Sequence, residues 1–314
     1  MKEWLKIMFH KNWITYDYNE LKINEYPNND YYPTTFKDAL RNQAQVIAQD
    51  VKPAVFVSGG IDSQAIALGF KSIGANADYI YIRSSYNGYY DKLEYFFVSE
   101  FCKRNYIDLQ IIDLEFNQNS LRNFLLESEY FETSVGSGTV FLLEGIRRYK
   151  GDGFPVTADG HFVFERVGNI CRGIFKKPGL GLSHGIKLEN QILFDLYYNY
   201  MFQYYEHMHR TTPELQYLSR MEAKNLIYTQ LGFLFRPKLS GWEFLDDAGD
   251  YPSLSVIDWS NDHSKYARLT KGINVIVDKL GISSDYIENK LKNQKGDDDR
   301  FITLYEFEPK YMKE

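Results

Sequence analysis

The chain has 314 residues, which is enough for one large domain or two domains of ordinary size. Its hydrophobic content of 44% and charged content of 25% are typical of a globular protein. The net charge is −6 and no cluster of basic residues stands out in the sequence, which argues against general nucleic-acid binding. The two cysteines are too few for a disulfide framework. Neither a signal peptide nor a long apolar span is evident, so we expect a cytoplasmic protein with no membrane partner.

The first 35 residues are aromatic and polar, and we predict that they form a strand pair packed on the core. The two strands are predicted at 13–18 and 21–23. Thr34 and Thr35 are a helix-start signal, so a helix is predicted from 36 to 49.

From residue 54 onwards, apolar strand patterns alternate with helical ones. Strands are predicted at 54–58, 77–82, 109–114 and 154–158, and helices at 62–72, 91–105, 119–129 and 138–149. This alternation predicts an α/β fold with a doubly wound, mostly parallel sheet. Ligands of such sheets bind at the carboxyl ends of the strands.

The stretch Ser58-Gly59-Gly60-Ile61-Asp62-Ser63 lies at one of these strand ends. Two glycines between a strand and a helix bring backbone N–H groups and a positive helix end to one point, which suits phosphate binding. The hydroxyls of Ser58 and Ser63 add donors, and Asp62 is a candidate Mg²⁺ ligand. The spacing is not that of a Walker A loop, since no lysine follows the glycines. The loop therefore predicts a nucleotide polyphosphate ligand, with an ordinary strand–turn–helix as the alternative.

The second half of the chain has a different pattern. Residues 161–187 are rich in glycine and carry basic side chains, which predicts a functional or mobile loop. Helices are predicted at 192–209, 219–231 and 264–280, a solvated acidic turn at 297–299, and a last strand at 301–307. We therefore divide the chain into an N-terminal strand pair (1–35), a nucleotide-binding domain (36–187) and a mainly helical C-terminal region (188–314) that is expected to shape the substrate pocket.

The loop at 58–63 resembles the PP-loop of the N-type ATP pyrophosphatases, and the synthetase domain of asparagine synthetase is the most similar group. The segment 90–95 resembles the acidic helix start after that family's second strand. The segment 132–139 and the strand end Val156-Thr157-Ala158-Asp159-Gly160 resemble its Ser/Thr-rich turn and its Leu-Ser-Gly-Glu-Gly strand end. The similarity covers residues 36–166.

The resemblance implies a set of nucleotide-binding residues, with ATP and Mg²⁺ as ligands. Pyrophosphate and Mg²⁺ would be held by Ser58, Gly59, Gly60, Asp62 and Ser63. Ile82, at the end of the second core strand, would lie near the adenine, and Thr157 and Ala158 stand where the family contacts the nucleotide. Asp159 stands where the family has an acidic residue beside the reacting carboxylate.

The chain also departs from the family. The family's second aspartate falls at Phe162, which can bind neither a metal nor a substrate ammonium, so we expect a different acceptor pocket. The chain begins Met1-Lys2 and has no N-terminal cysteine nucleophile, so we expect any ammonia to come from a separate donor.

Three further residues are candidates for catalysis. The chemistry calls for a cation at the α-phosphate, and Lys238 or Lys187 could supply it. His161 is a candidate general base, with a loop residue of no catalytic role as the alternative.

The leading hypothesis is an ATP-dependent, AMP-forming ligase that acts on a small-molecule carboxylate or amine substrate. It would adenylate a carboxylate, or another oxygen such as an amide carbonyl, and then form an amide or related bond. One alternative is a PP-loop enzyme that modifies nucleobases or tRNA, although Cys102 and Cys171 do not form the paired cysteines that thiolation needs. The other is a degenerate nucleotide-binding partner protein, motivated by Phe162. The sequence leaves the oligomeric state open.

Overall fold

The structure is a computed structural model that describes twelve stretches of the chain. These are residues 14–17, 20–23, 35–127, 139–158, 161–176, 193–194, 200–216, 226–233, 243–245, 280–283, 285–286 and 301–309. The predicted N-terminal strand pair is confirmed: β1 (Ile14–Asp17) and β2 (Glu20–Ile23) pair in antiparallel fashion.

The region from 36 to 157 has the predicted alternation of strands and helices. Its strands are β3 (Pro53–Phe56), β4 (Asp78–Tyr86), β5 (Tyr89–Tyr90), β6 (Leu109–Phe116) and β7 (Phe154–Thr157). Its helices are α1 (Phe36–Asp50), α2 (Ile61–Ser72), α3 (Lys92–Arg104), α4 (Gln118–Glu127) and α5 (Thr139–Arg148). The prediction of mixed α/β structure is confirmed.

The central sheet is mainly parallel. Its parallel strands follow the order β10-β7-β3-β4-β6, where β10 is the short strand Leu193–Phe194, and β5 pairs antiparallel with the end of β4. The chain thus moves from β3 outwards through β4 to β6, and then returns to the other side of β3 with β7. The strand order reverses between β3 and β7.

Alternate residues of the central strands belong to different core clusters, because alternate side chains of a strand point to opposite sides of the sheet. Val55 and Tyr79 belong to a core cluster with α1, α2 and α3, which includes the fully buried Phe36. Ala54 and Ile80 belong to a second cluster with α5. The sheet is therefore buried on both sides, which explains the nearly continuous apolar run of β3.

Polar side chains cap the first turns of two helices, α1 and α3. The side chain of Thr35 accepts a hydrogen bond from the Asp38 N–H at the start of α1. At the start of α3, the Asp91 side chain accepts from the N–H groups of Leu93 and Glu94. Both caps compensate helix donors that have no partner within the helix.

Residues 161–176 form a hairpin, so the prediction of a loop over 161–187 is wrong for the described part of that range. The strands β8 (His161–Val167) and β9 (Ile170–Lys176) pair antiparallel across a two-residue turn, where Gly168 has φ +59°. The last strand, β11 (Phe301–Phe307), was predicted correctly and pairs with β9 in a separate three-stranded antiparallel sheet. Cys171 lies buried in β9 and not in a flexible loop.

The helix predicted at 192–209 begins later in the structure. Leu193 and Phe194 form β10 beside β7, and the helix α6 runs over Tyr200–Thr211. A 3₁₀ turn at Thr229–Leu231 ends the helix predicted at 219–231, whose residues 219–225 lie outside the described residues. Residue 280 is the only part of the helix predicted at 264–280 that lies within them, and the acidic run 297–299 lies outside them.

Candidate functional site

The loop 57–60 joins β3 to α2 at the carboxyl edge of the central sheet. It leaves the sheet beside the point where the strand order reverses between β3 and β7. Ligands of open α/β sheets bind in the crevice at such a point, outside the carboxyl ends of the strands. The predicted motif and the observed topology therefore select the same place.

The two serines of the motif are held against each other. The Ser63 hydroxyl oxygen accepts a hydrogen bond from the Ser58 N–H at 2.9 Å and lies 3.0 Å from the Ser58 hydroxyl oxygen. The Gly60 N–H donates to the Ser58 hydroxyl oxygen at 3.1 Å. The Ser63 hydroxyl also donates to the backbone oxygen of Gly60 at 3.1 Å, so both hydroxyl groups are fixed within one compact turn at the start of α2.

The close approach of α3 to the loop requires a glycine at position 59. A Cβ atom on Gly59 would lie 2.9 Å from Cγ of Glu94 and 3.2 Å from its Cα, so only glycine allows α3 to approach this closely. Gly60 is the N-cap of α2 and has no side chain to cap it, which leaves the positive end of the helix dipole facing the loop.

The first turn of α3 forms one wall of the site. Glu94 accepts a long hydrogen bond from the Gly59 N–H at 3.4 Å, and the Tyr81 hydroxyl donates to the same carboxylate at 3.5 Å. Burial, followed by the nearby carboxylates of Glu94 and Asp91, raises the pKa of Tyr81. The Gln64 side-chain amide donates to the backbone oxygens of Ser58 and of Phe97 in α3, which ties the loop to that wall.

Asp62 lies in the first turn of α2 and is held by a residue that the sequence analysis did not identify. The hydroxyl of Tyr228 donates to Oδ1 of Asp62 at 2.7 Å. Tyr228 is 2% exposed and comes from a segment 166 residues further along the chain. No local pattern around Tyr228 predicts this contact, because only the fold brings the two residues together.

Thr157 ends β7 and Ala158 directly follows it, so both lie at the same carboxyl edge as the loop. Thr157 is 1% exposed, and among the described residues its buried hydroxyl has no hydrogen-bond partner. A buried hydroxyl without a hydrogen-bond partner lowers the stability of the fold by about 1–3 kcal/mol. Such a group therefore calls for an explanation, such as a ligand that it binds.

Ile82 does not end its strand, which corrects that prediction. β4 continues to Tyr86, because β6 pairs with it over its full length and β5 pairs with its last residues. The pairing of β3 with β4 ends at Phe56 and Ile80, two residues before Ser58 and Ile82. The Ile82 side chain packs where a Cβ on Gly145 of α5 would lie, since that atom would be 2.1 Å from its Cδ1.

The predicted catalytic residues are not brought together by the described part of the structure. His161 is the first residue of β8 and pairs with Lys176, and its side chain lies outside the described residues. Asp159, Lys238 and Lys187 also lie outside them. Their proposed roles therefore stay predictions.

A cluster of metal ligands is not needed for the expected ion. Within the described stretches, no group of three or more His, Cys, Asp or Glu residues could hold a metal. Mg²⁺ on a nucleotide is usually held by one or two carboxylates together with phosphate oxygens and water. The half-buried carboxylate of Asp62, in the first turn of α2 beside the turn at 58–60, fits that donor set.

A comparison of the chain with models of known protein families and with curated protein sequences finds no match. In the described part of the chain, no helix is both long and apolar enough to span a membrane.

Proposed function

We propose that this protein is an ATP-dependent, AMP-forming ligase of the PP-loop pyrophosphatase type. Its doubly wound nucleotide-binding domain would span 36–187, and its mainly helical C-terminal region 188–314. The observation that carries the proposal is the serine–glycine turn at 58–63, which lies between a buried strand and a helix where the strand order reverses. ATP and Mg²⁺ are the proposed ligands.

The residues of this turn account for pyrophosphate binding. The N-terminus of α2 and the hydroxyls of Ser58 and Ser63 would face the β- and γ-phosphates, and Asp62 would hold Mg²⁺. The buried Thr157 hydroxyl would gain the nucleotide as its hydrogen-bond partner. A cation, assigned here to Lys238 or Lys187, would oppose the negative charge that develops at the α-phosphate.

The acceptor is proposed to be a small carboxylate or amine other than aspartate. Asp159 comes two residues before the start of β8 in the sequence. It would lie beside the reacting group, with His161 as the general base. Phe162 occupies the position of the family's second aspartate and is paired with Phe175 in the hairpin. A strand with phenylalanine there cannot supply the carboxylate that would recognise a substrate ammonium.

The test is to incubate the protein with Mg-ATP and a panel of carboxylates, amides and amines, and to separate the nucleotide products. AMP and pyrophosphate are expected, and formation of ADP and phosphate would overturn the proposal. Ser63→Ala should weaken nucleotide binding by roughly tenfold, because it removes one oriented hydroxyl. The matched control is Ser72→Ala at the other end of α2, where the hydroxyl donates to the Gly69 oxygen at 2.7 Å.

Phe162 favours one second candidate, a nucleotide-binding partner protein without turnover. That candidate predicts tight binding of Mg-ATP, dependent on Ser63, with no AMP formed from any member of the panel. An RNA-modifying PP-loop enzyme that works by thiolation is disfavoured, because burial raises the pKa of the Cys102 thiol to about 12.

A further inference from the structure

Tyr228 connects the C-terminal half of the chain to the loop at 58–63. Its hydroxyl donates to Oδ1 of Asp62 at 2.7 Å, which is within the usual range for a hydrogen bond between a hydroxyl and a carboxylate. Asp62 is the residue that the proposed function assigns to Mg²⁺. The contact therefore fixes the orientation of the expected metal ligand.

The ring of Tyr228 is rigidly placed, so this contact is not an incidental surface bond. Its centroid lies 4.8 Å from that of Phe36 and 6.4 Å from that of Phe233, and all three side chains are buried. A tyrosine has only two side-chain torsions, and close packing on its ring leaves the hydroxyl little freedom to move.

The backbone that carries Tyr228 is anchored by polar contacts as well. Two residues further on, the Gln230 side-chain oxygen accepts from the Phe36 N–H at 3.1 Å. The Gln230 side-chain nitrogen donates to the Tyr204 hydroxyl of α6 at 2.6 Å. The segment 226–233 is thus fixed to the start of α1 and to α6, and it carries the hydroxyl of Tyr228 to the loop.

We propose that Tyr228 is a positioning residue that fixes the Asp62 carboxylate for Mg²⁺, and this inference rests on the proposed function of the loop. Groups that hydrogen-bond to a metal ligand orient it, and their removal typically lowers metal affinity about 10–100-fold. The affinity of the loop for the Mg²⁺–nucleotide complex would then depend on how the segment 226–233 packs against the rest of the fold.

The chain offers a matched control in Tyr149, which directly follows α5. Its hydroxyl donates to the carboxylate of Asp78, as that of Tyr228 donates to Asp62, and both tyrosine side chains are buried. Asp78 begins β4, so this bond lies at the amino end of the strand, away from the loop at the carboxyl edge. Tyr228→Phe and Tyr149→Phe each remove one hydroxyl that bonds to an aspartate, so a general loss of packing would affect them alike.

The first measurement is calorimetric binding of the uncleavable analogue α,β-methylene-ATP, with Mg²⁺ and with EDTA. Tyr228→Phe should weaken binding of the Mg²⁺ form roughly tenfold and leave binding of the metal-free analogue unchanged, whereas Tyr149→Phe should change neither. Equal binding by wild type and Tyr228→Phe would overturn the inference, as would equal losses in both variants. If the wild-type protein binds no nucleotide, the proposed function itself fails.

The second measurement separates these two failures, because it needs no ligand. Amide hydrogen exchange of the peptide covering 58–63 should be about tenfold faster in Tyr228→Phe than in Tyr149→Phe. Asp62→Ala removes the acceptor of the same hydrogen bond, so it should accelerate exchange of this peptide to the same extent. This second variant tests the inference even if Tyr228→Phe folds poorly. Unchanged exchange in both variants would refute the positioning role, whatever the loop binds.

Discussion

His209 gives a pH dependence of stability whose sign and size follow from its surroundings. The side chain lies in α6, is 1% exposed, and packs between the rings of Phe164 and Phe307 at centroid distances of 4.4 and 5.0 Å. Burial, followed by the neighbouring charge of Arg210, lowers the pKa of His209 to about 4 from its usual 6.5. The folded protein therefore holds this imidazole neutral.

The unfolded chain binds a proton at this histidine below pH 6.5, whereas the folded chain does so only near pH 4. The free energy of unfolding should therefore fall as the pH falls through this window. The linkage relation gives a loss of about 2 kcal/mol between pH 7 and pH 5, and a limit of about 3 kcal/mol at lower pH.

The assay is urea denaturation at several pH values between 5 and 7, for the wild type and for His209→Gln. Glutamine keeps a donor and an acceptor but does not titrate in this range, so the variant should lose about 2 kcal/mol less than the wild type on acidification. His207→Gln, two residues earlier on the same helix, is the control for the loss of a histidine. Parallel curves for His209→Gln and the wild type would refute the assignment of a buried neutral imidazole.

Three other perturbations have defined outcomes. Gly59→Ala should lower the free energy of unfolding by about 1–3 kcal/mol, because its Cβ would lie 2.9 Å from Cγ of Glu94. Gly60→Ala, whose Cβ would have its nearest contact at 3.3 Å, should lower it less. Equal losses for the two variants in urea denaturation would contradict this geometry. Thr157→Val should raise the free energy of unfolding by about 1 kcal/mol while weakening nucleotide binding, because it removes an unsatisfied buried hydroxyl, and a destabilised variant would show that this hydroxyl has a partner. Cys102, with its thiol pKa raised to about 12, should resist a thiol reagent at neutral pH until urea unfolds the chain, and rapid labelling of the native protein would contradict its burial.

The fold around the loop was predictable because its signals are local. The apolar run at 54–57, the two glycines and the following helical segment are adjacent in the sequence, and each encodes its own structure. The cap residue Thr35 and the positive-φ Gly74 likewise mark helix ends by local geometry.

The hairpin at 161–176 was missed although a signal for it existed. Gly168 and Asn169 stand between two apolar-rich segments, and a two-residue turn with glycine at this place is a typical hairpin pattern. The glycine-rich and basic composition of the surrounding region favoured a loop instead. The short strand at 193–194 had no such signal, since two residues become a strand only when β7 lies beside them.

The candidate site was predictable only in the part that is continuous in sequence. Ser58 to Ser63 could be identified as one motif, and the structure keeps them in one turn. The contacts of Glu94 with Gly59 and of Tyr228 with Asp62 depend on how α3 and the segment 226–233 pack, and sequence periodicity carries no information about that.

The distance in sequence between Asp62 and Tyr228 has a consequence for how the molecule is made. Closing such a long loop has an entropic cost that must be met before the contact can contribute, so this bond should form late in folding. During synthesis, the turn at 58–63 leaves the ribosome well before Tyr228. The strand β9 can pair with β11 only after residues 301–307 have also been synthesised. A fragment cut to residues 36–187 would contain the whole turn at 58–63, but neither the hydroxyl proposed to orient Asp62 nor the strand β11 that pairs with β9.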